Sequence, residues 1–90
     1  MESRSEMRAG RVVLVVDDEE GIRRVVASVL ELSGYRVLLA SNAHDALRIA
    51  SREGGVDLVL TDISMPTMSG LELGAILASE QPALPVVYMS

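Results

Sequence analysis

The 90-residue chain predicts an α/β domain in which helices cover both faces of a parallel sheet. Three observations lead there. Four short runs rich in Val and Leu, at 12–16, 35–40, 56–61 and 86–90, have the length of strands and are too short for buried helices. Three longer stretches between them repeat apolar residues at helical spacing. Strict alternation of the two kinds of segment gives right-handed β-α-β crossovers, and those connect parallel strands.

VVLVV at 12–16 carries no polar residue on either face, so it reads as a strand covered on both sides; it stops at DDEE. From about Glu19 to Leu32, Ile22, Val25, Val26, Val29 and Leu30 form one helical face, with Arg23, Arg24 and Glu31 on the other as a solvated surface. Gly34 supplies a left-handed stop. YRVLLA at 35–40 is the second strand. SNAHDALRIAS at 41–51 is the second helix, opened by Ser41 or Asn42 as N-cap, with Ala43, Ala46, Leu47 and Ala50 inward. EGG breaks it, and VDLVLT at 56–61 is the third strand. Beyond a loop from Pro66 to Gly70, LELGAILASE is a third helix, weakened internally by Gly74. QPALP ends that helix, and VVYMS is the fourth strand.

Composition narrows the function classes. Apolar residues make up 49% of the chain, but Tyr35 and Tyr88 are its only aromatics, so the core is built from Val, Leu, Ile, Ala and Met. That is globular rather than disordered. At this size folding buries only about 60 to 65 per cent of the unfolded surface, which leaves a thin stability margin. The net charge is −5 and every basic residue is an arginine. Without a basic cluster or stacking aromatics, nucleic acid is an unsuitable partner. The absence of cysteine excludes disulfides and thiolate metal sites and fits a reducing compartment. MESRSEMRAG at 1–10 is polar and reads as a short flexible leader to a domain at 11–90. No apolar run reaches signal-peptide or membrane-spanning length, so the expected location is the cytoplasm, without membrane contact.

For a sheet of this size the flavodoxin-like, doubly wound order 2-1-3-4 is expected. Winding then reverses between strands 1 and 3, and their carboxyl ends flank the ligand crevice. Asp17, Asp18 and Asp62 stand at those ends. Three carboxylates in one crevice repel each other, and the repulsion is relieved by proton uptake or by a cation among them. An oxygen-only donor set without His or Cys favours a hard ion. Few protein ligands and open water positions favour magnesium over calcium. An aspartate beside magnesium can also act as a nucleophile toward phosphorus, which suggests acyl-phosphate formation. His44, with no second ligand nearby in sequence, reads as an exposed helix residue. Met65 and Met68 read as loop packing.

The segments VVLVVDDEEGIRRVV, VDLVLTDISMPTMSG and PVVYMS together resemble the receiver domain of two-component response regulators, including receiver modules of hybrid histidine kinases. The resemblance runs from Arg11 to Ser90. It implies that Asp62 is the phosphoacceptor, attacking the phosphorus of a phosphohistidine on a histidine kinase or phosphotransfer domain. Asp18 would be the direct Mg2+ ligand of the acidic pair, and Asp17 would act through a metal-bound water. The Ser64 backbone carbonyl would also reach the metal, and Ser90 would be the switch hydroxyl. No enzyme activity is expected beyond assistance with the domain's own phosphorylation and dephosphorylation. Pro66 fixes one φ and forbids helix at Met65, so the chain turns directly after Asp62. Gly70 allows close approach or positive φ before the third helix.

Two departures from the family pattern stand out. The family's phosphoryl-pairing lysine, at the end of a fifth strand, has no counterpart in a chain without lysine. The residues given also stop after the fourth strand, without the usual helix 4, strand 5 and helix 5. The fourth strand would be an open edge available for self-association, and the sheet face beside the first helix would lose a covering helix. A second reading follows: a truncated or degenerate, non-phosphorylated receiver acting as a protein-interaction module. A magnesium-dependent phosphatase with an aspartyl nucleophile is a remote third, because it needs an aspartate where this chain has Ser64.

Overall fold

A computed structural model describes residues 10–53 and 55–89. Residues 1–9 of the proposed leader at 1–10, together with Gly54 and Ser90, lie outside the described residues. Seven elements follow in order: β1 (Val12–Val16), α1 (Glu20–Leu32), β2 (Arg36–Ala40), α2 (Ala43–Glu53), β3 (Leu58–Asp62), α3 (Gly70–Glu80) and β4 (Val86–Met89). Every strand pairing is parallel, and the sheet order is β2-β1-β3-β4. The fold class is the one the alternation predicts, and the strand order is the one expected for a sheet of this size. Among the described residues no helix is long and apolar enough to cross a membrane.

β1 is buried along its whole length, as a strand paired on both edges and covered on both faces must be. Leu14 and Val16 join Val59, Ala43, Ala46, Ala50, Leu73 and Leu77 in the core between the sheet and the pair α2 and α3. By strand alternation Val13 and Val15 face the other way, under α1. β3 starts two residues later than the apolar run suggests and includes Asp62. Asp57, just ahead of it, donates its N–H to the Val12 carbonyl and accepts the Val12 N–H on Oδ2, both at 2.8 Å. The β1–β3 ladder therefore begins on a main-chain and side-chain clasp.

α1 corrects the sequence reading. Its apolar residues form an arc wider than the sheet contact, and the helix meets the sheet along one margin of that arc. Ala27 is its buried residue, flanked by half-buried Arg23, Val26 and Leu30. Ile22, Val25, Val29 and Leu32 face outward, Val25 at 64% and Val29 at 58% exposure. Leu39 and Val87, on the two outer strands, are exposed as well. The periodicity identified an apolar face but not the helix rotation, and no described element covers the outer part of the arc.

The helix ends are chemically specified. At the end of α1 Gly34 adopts φ +99°, Gly34 N–H donates to the Glu31 carbonyl, and Tyr35 N–H donates to the Leu30 carbonyl. This is the Schellman arrangement expected of a glycine stop. Of the two candidate caps for α2, Asn42 fills the role, its Oδ1 accepting Asp45 N–H at 2.8 Å. α3 opens on a reciprocal capping box between Ser69 and Glu72. Its signature, Ser-x-x-Glu, is present in the sequence at 69–72. Gly74 has a packing reason beyond its low helix propensity: a Cβ there would lie 1.9 Å from the Tyr88 hydroxyl on β4.

Candidate metal and phosphoacceptor site

The register of β1 against β3 builds the crevice. Val16 pairs with Thr61, so the next residues, Asp17 and Asp62, come level at the carboxyl ends of adjacent parallel strands. Asp18 follows in the turn to α1. One carboxylate oxygen from each of Asp17, Asp18 and Asp62 lies within 4.8 Å of the other two. Asp17 is buried, Asp62 half-buried and Asp18 exposed, so the cluster opens from a fixed floor to solvent. His44 is exposed on α2 and takes no part.

Asp17 is anchored from three directions. Its N–H donates to the Ala40 carbonyl at 3.2 Å, continuing the β1–β2 ladder. Its Oδ1 accepts the Glu19 N–H at 2.9 Å, and its backbone carbonyl accepts Nη1 of Arg23 at 2.7 Å. Arg23 is thus turned toward the crevice and half-buried, contrary to the solvated face expected for it. Helix rotation decides this, because the margin of α1 that meets the sheet includes Arg23. Arg24 behaves as expected, exposed and paired with Glu20.

Asp62 is fixed mainly through its backbone. The buried Thr61 donates its hydroxyl to the Asp62 carbonyl at 3.0 Å, and Ile63 N–H donates to the Met89 carbonyl at 3.2 Å. Thr61 is a site residue the sequence reading leaves out; a hydroxyl residue directly before the strand-ending aspartate is the signal that was available. Ser64 N–H makes only a long contact, 3.4 Å, to Asp62 Oδ1, which leaves that carboxylate largely free of protein donors among the described residues. The chain then turns at Pro66. Met68 N–H donates to the Pro66 carbonyl at 2.8 Å around Thr67, whose φ is +72°. That is a γ-turn on a β-branched residue, a strained conformation. Met65 is buried and Met68 half-buried against the core, as loop packing predicts. Gly70 N–H returns to the Ile63 carbonyl at 2.7 Å, and a Cβ on Gly70 would stand 1.9 Å from the Asp62 carbonyl oxygen. Of the two reasons foreseen for this glycine, close approach is the one that operates.

The donor set fits a hard divalent cation. It is all carboxylate, partly solvent-open, and none of its members is ion-paired to an arginine among the described residues. Ser64 is exposed beside Asp62. Ser90 lies outside the described residues.

Fold and site together define a parallel α/β domain with an acidic crevice at its switch point. The chain belongs to the response regulator receiver domain family, whose model matches residues 13–90. It is similar to the transcriptional regulatory protein GlrR of Escherichia coli K12, 36% identical over 78 residues, covering 87% of this chain and 17% of that protein. It is also similar to the transcriptional regulatory protein YkoG of Bacillus subtilis, 40% identical over 78 residues, covering 87% of this chain and 34% of that protein. The chain therefore spans at most about a third of the length of these relatives. Among solved structures, a response regulator receiver domain protein from Clostridium thermocellum superposes with TM-score 0.83 at 33% identity, covering 87% of this chain and 63% of that one. The response regulator TrrA from Thermotoga maritima, solved in complex with Mg2+-BeF, superposes with TM-score 0.79 at 36% identity, covering 84% and 65%.

Gly70→Ala is expected to lower stability by about 2 to 3 kcal/mol, since its Cβ meets backbone rather than a movable side chain. A urea titration checks it; a loss below about 0.5 kcal/mol would mean that α3 shifts freely against β3.

Proposed function

We propose that this chain is a phosphoacceptor module of a two-component phosphorelay, with Asp62 as the accepting residue. The observation that carries the reading is the convergence of the Asp17, Asp18 and Asp62 carboxylates at the switch point, with Asp62 on the accessible side of a buried anchor. An Asp62 oxygen attacks the phosphorus of a phosphohistidine on a histidine kinase or phosphotransfer domain. The P–N bond breaks, the leaving imidazole takes up a proton, and Asp62 carries the acyl phosphate. Asp18, Asp62 and the Ser64 carbonyl are assigned as direct magnesium ligands, and Asp17 as a ligand through water, in keeping with its burial. Magnesium, when bound, offsets the charge that gathers between three carboxylates and an incoming phosphoryl group. Ser90 is assigned as the switch hydroxyl. The domain is taken as 11–90, its location as cytoplasmic, and nucleic acid as no partner of this domain.

A second reading, a non-phosphorylated interaction module, draws on two observations. α1 presents the exposed residues Ile22, Val25, Val29 and Leu32. The outer edge of β4 is unpaired among the described residues, which supports self-association through that edge. A sedimentation coefficient that stays at the monomer value across concentration would remove that element.

The two readings are separated by incubating the chain with Mg2+ and acetyl phosphate and measuring intact mass. The expected result is one added phosphate, stable in acid and labile in base, lost in Asp62→Asn and in EDTA. A folded chain that binds magnesium and gains no mass would leave the interaction module as the better reading.

A further inference from the structure

Arg23 and Arg24 are adjacent and carry the same charge, yet the fold uses them differently. Arg24 is exposed and pairs with Glu20 within α1. Arg23, half-buried, makes no ion pair among the described residues although three carboxylates gather at the nearby strand ends. Its Nη1 donates to the backbone carbonyl of Asp17, six residues earlier, at 2.7 Å. A charged donor committed to a main-chain acceptor acts on backbone geometry, and such bonds are among the stronger ones available.

The carbonyl in question belongs to the peptide unit that joins Asp17 to Asp18. Its orientation sets the direction in which the chain leaves β1, and therefore where the Asp18 carboxylate falls relative to Asp17 and Asp62. The Asp17 N–H, held by Ala40, and the Asp17 side chain, held by Glu19 N–H, fix the residue on either side of that carbonyl. Arg23 supplies the remaining constraint from within α1, so the position of the helix and the spacing of the acidic pair are tied together.

We propose that Arg23 is a positioning residue for magnesium binding, acting through the Asp17–Asp18 peptide and touching neither the ion nor the phosphoryl group. The inference rests on the reading of Asp17, Asp18 and Asp62 as the magnesium site. It makes a prediction opposite in sign to simple electrostatics. If Arg23 acted only as a nearby positive charge, removing it would tighten binding of a cation. As a positioning residue its removal weakens binding, and losses of about 10- to 100-fold are usual when the outer support of a metal ligand is removed.

The test is titration of Mg2+ alone into the full 90-residue chain, followed by the backbone amide NMR shifts of Asp17 and Asp18. The amide dispersion of each protein reports in the same spectra that it is folded. Arg23→Met is expected to bind magnesium about tenfold more weakly. Arg23→Lys, which keeps the charge with a shorter, single-headed donor, is expected to recover part of the loss. Arg24→Met, the same charge change one residue away, is expected to stay within about twofold of the unsubstituted chain, as a solvated charge should. Equal or tighter binding by Arg23→Met overturns the proposal, and so does an equal loss in Arg24→Met. Should Arg23→Met not fold, Arg23→Lys decides: weaker binding supports the role, and unchanged affinity overturns it. Absence of magnesium binding by the unsubstituted chain is the separate failure of the metal reading, and the inference falls with it.

Discussion

The pairing of Val16 with Thr61 across β1 and β3 governs the chemistry of this domain, because it places Asp17 and Asp62 side by side at the ends of neighbouring parallel strands. A slip of one residue would turn every side chain of a strand to the opposite face and move one carboxylate out of reach of the other. Several features hold that register. β1 is buried throughout and paired on both edges, Asp57 clasps Val12 at the start of the ladder, and Thr61 holds the Asp62 carbonyl at its end.

Bringing three carboxylates together opposes folding, and the surroundings of the crevice answer that in separate ways. Asp17 is tied by hydrogen bonds that leave little room for relaxation away from its neighbours. Asp18 remains in water, where repulsion is screened. The turn after Asp62 adds its own strain: Thr67 at positive φ carries a penalty of about 1 to 3 kcal/mol. The Ser69–Glu72 capping box and the tight seat of Gly70 on the Asp62 carbonyl hold this loop closed against that strain. The rigid part of the site is thus its main chain, and the carboxylates of Asp18 and Asp62 are held less tightly than that of Asp17.

The parts of this arrangement that depend on periodicity and chain order were legible in the sequence. Alternating runs gave the parallel sheet, the order 2-1-3-4 followed from its size, and the reversal of winding pointed to Asp17, Asp18 and Asp62. Gly34 could be read as a helix stop because only one backbone conformation suits that position. What escaped depends on rotation and distance. An apolar arc on α1 says that a face exists, but the sheet contact selects Ala27 and Arg23 from its margin, a choice made by packing in three dimensions. The bond from Arg23 to a main-chain carbonyl has no sequence signature at all. Thr61 and the Ser69–Glu72 cap did have signals, a hydroxyl before the strand-ending Asp62 and a Ser-x-x-Glu pattern. Between close approach and positive φ at Gly70, only coordinates could choose.

The arrangement proposed for this domain is one magnesium-dependent centre, built on the β1–β3 register, with Asp62 as the accepting group. A crystal structure of the chain grown with Mg2+ and beryllium fluoride tests it most directly. The expected result is a single ion held by Asp18, Asp62 and the Ser64 carbonyl, with Asp17 reaching it through water, and a beryllium adduct on an Asp62 oxygen. An ion bound elsewhere, or a bare Asp62 carboxylate beside an occupied metal position, would contradict it.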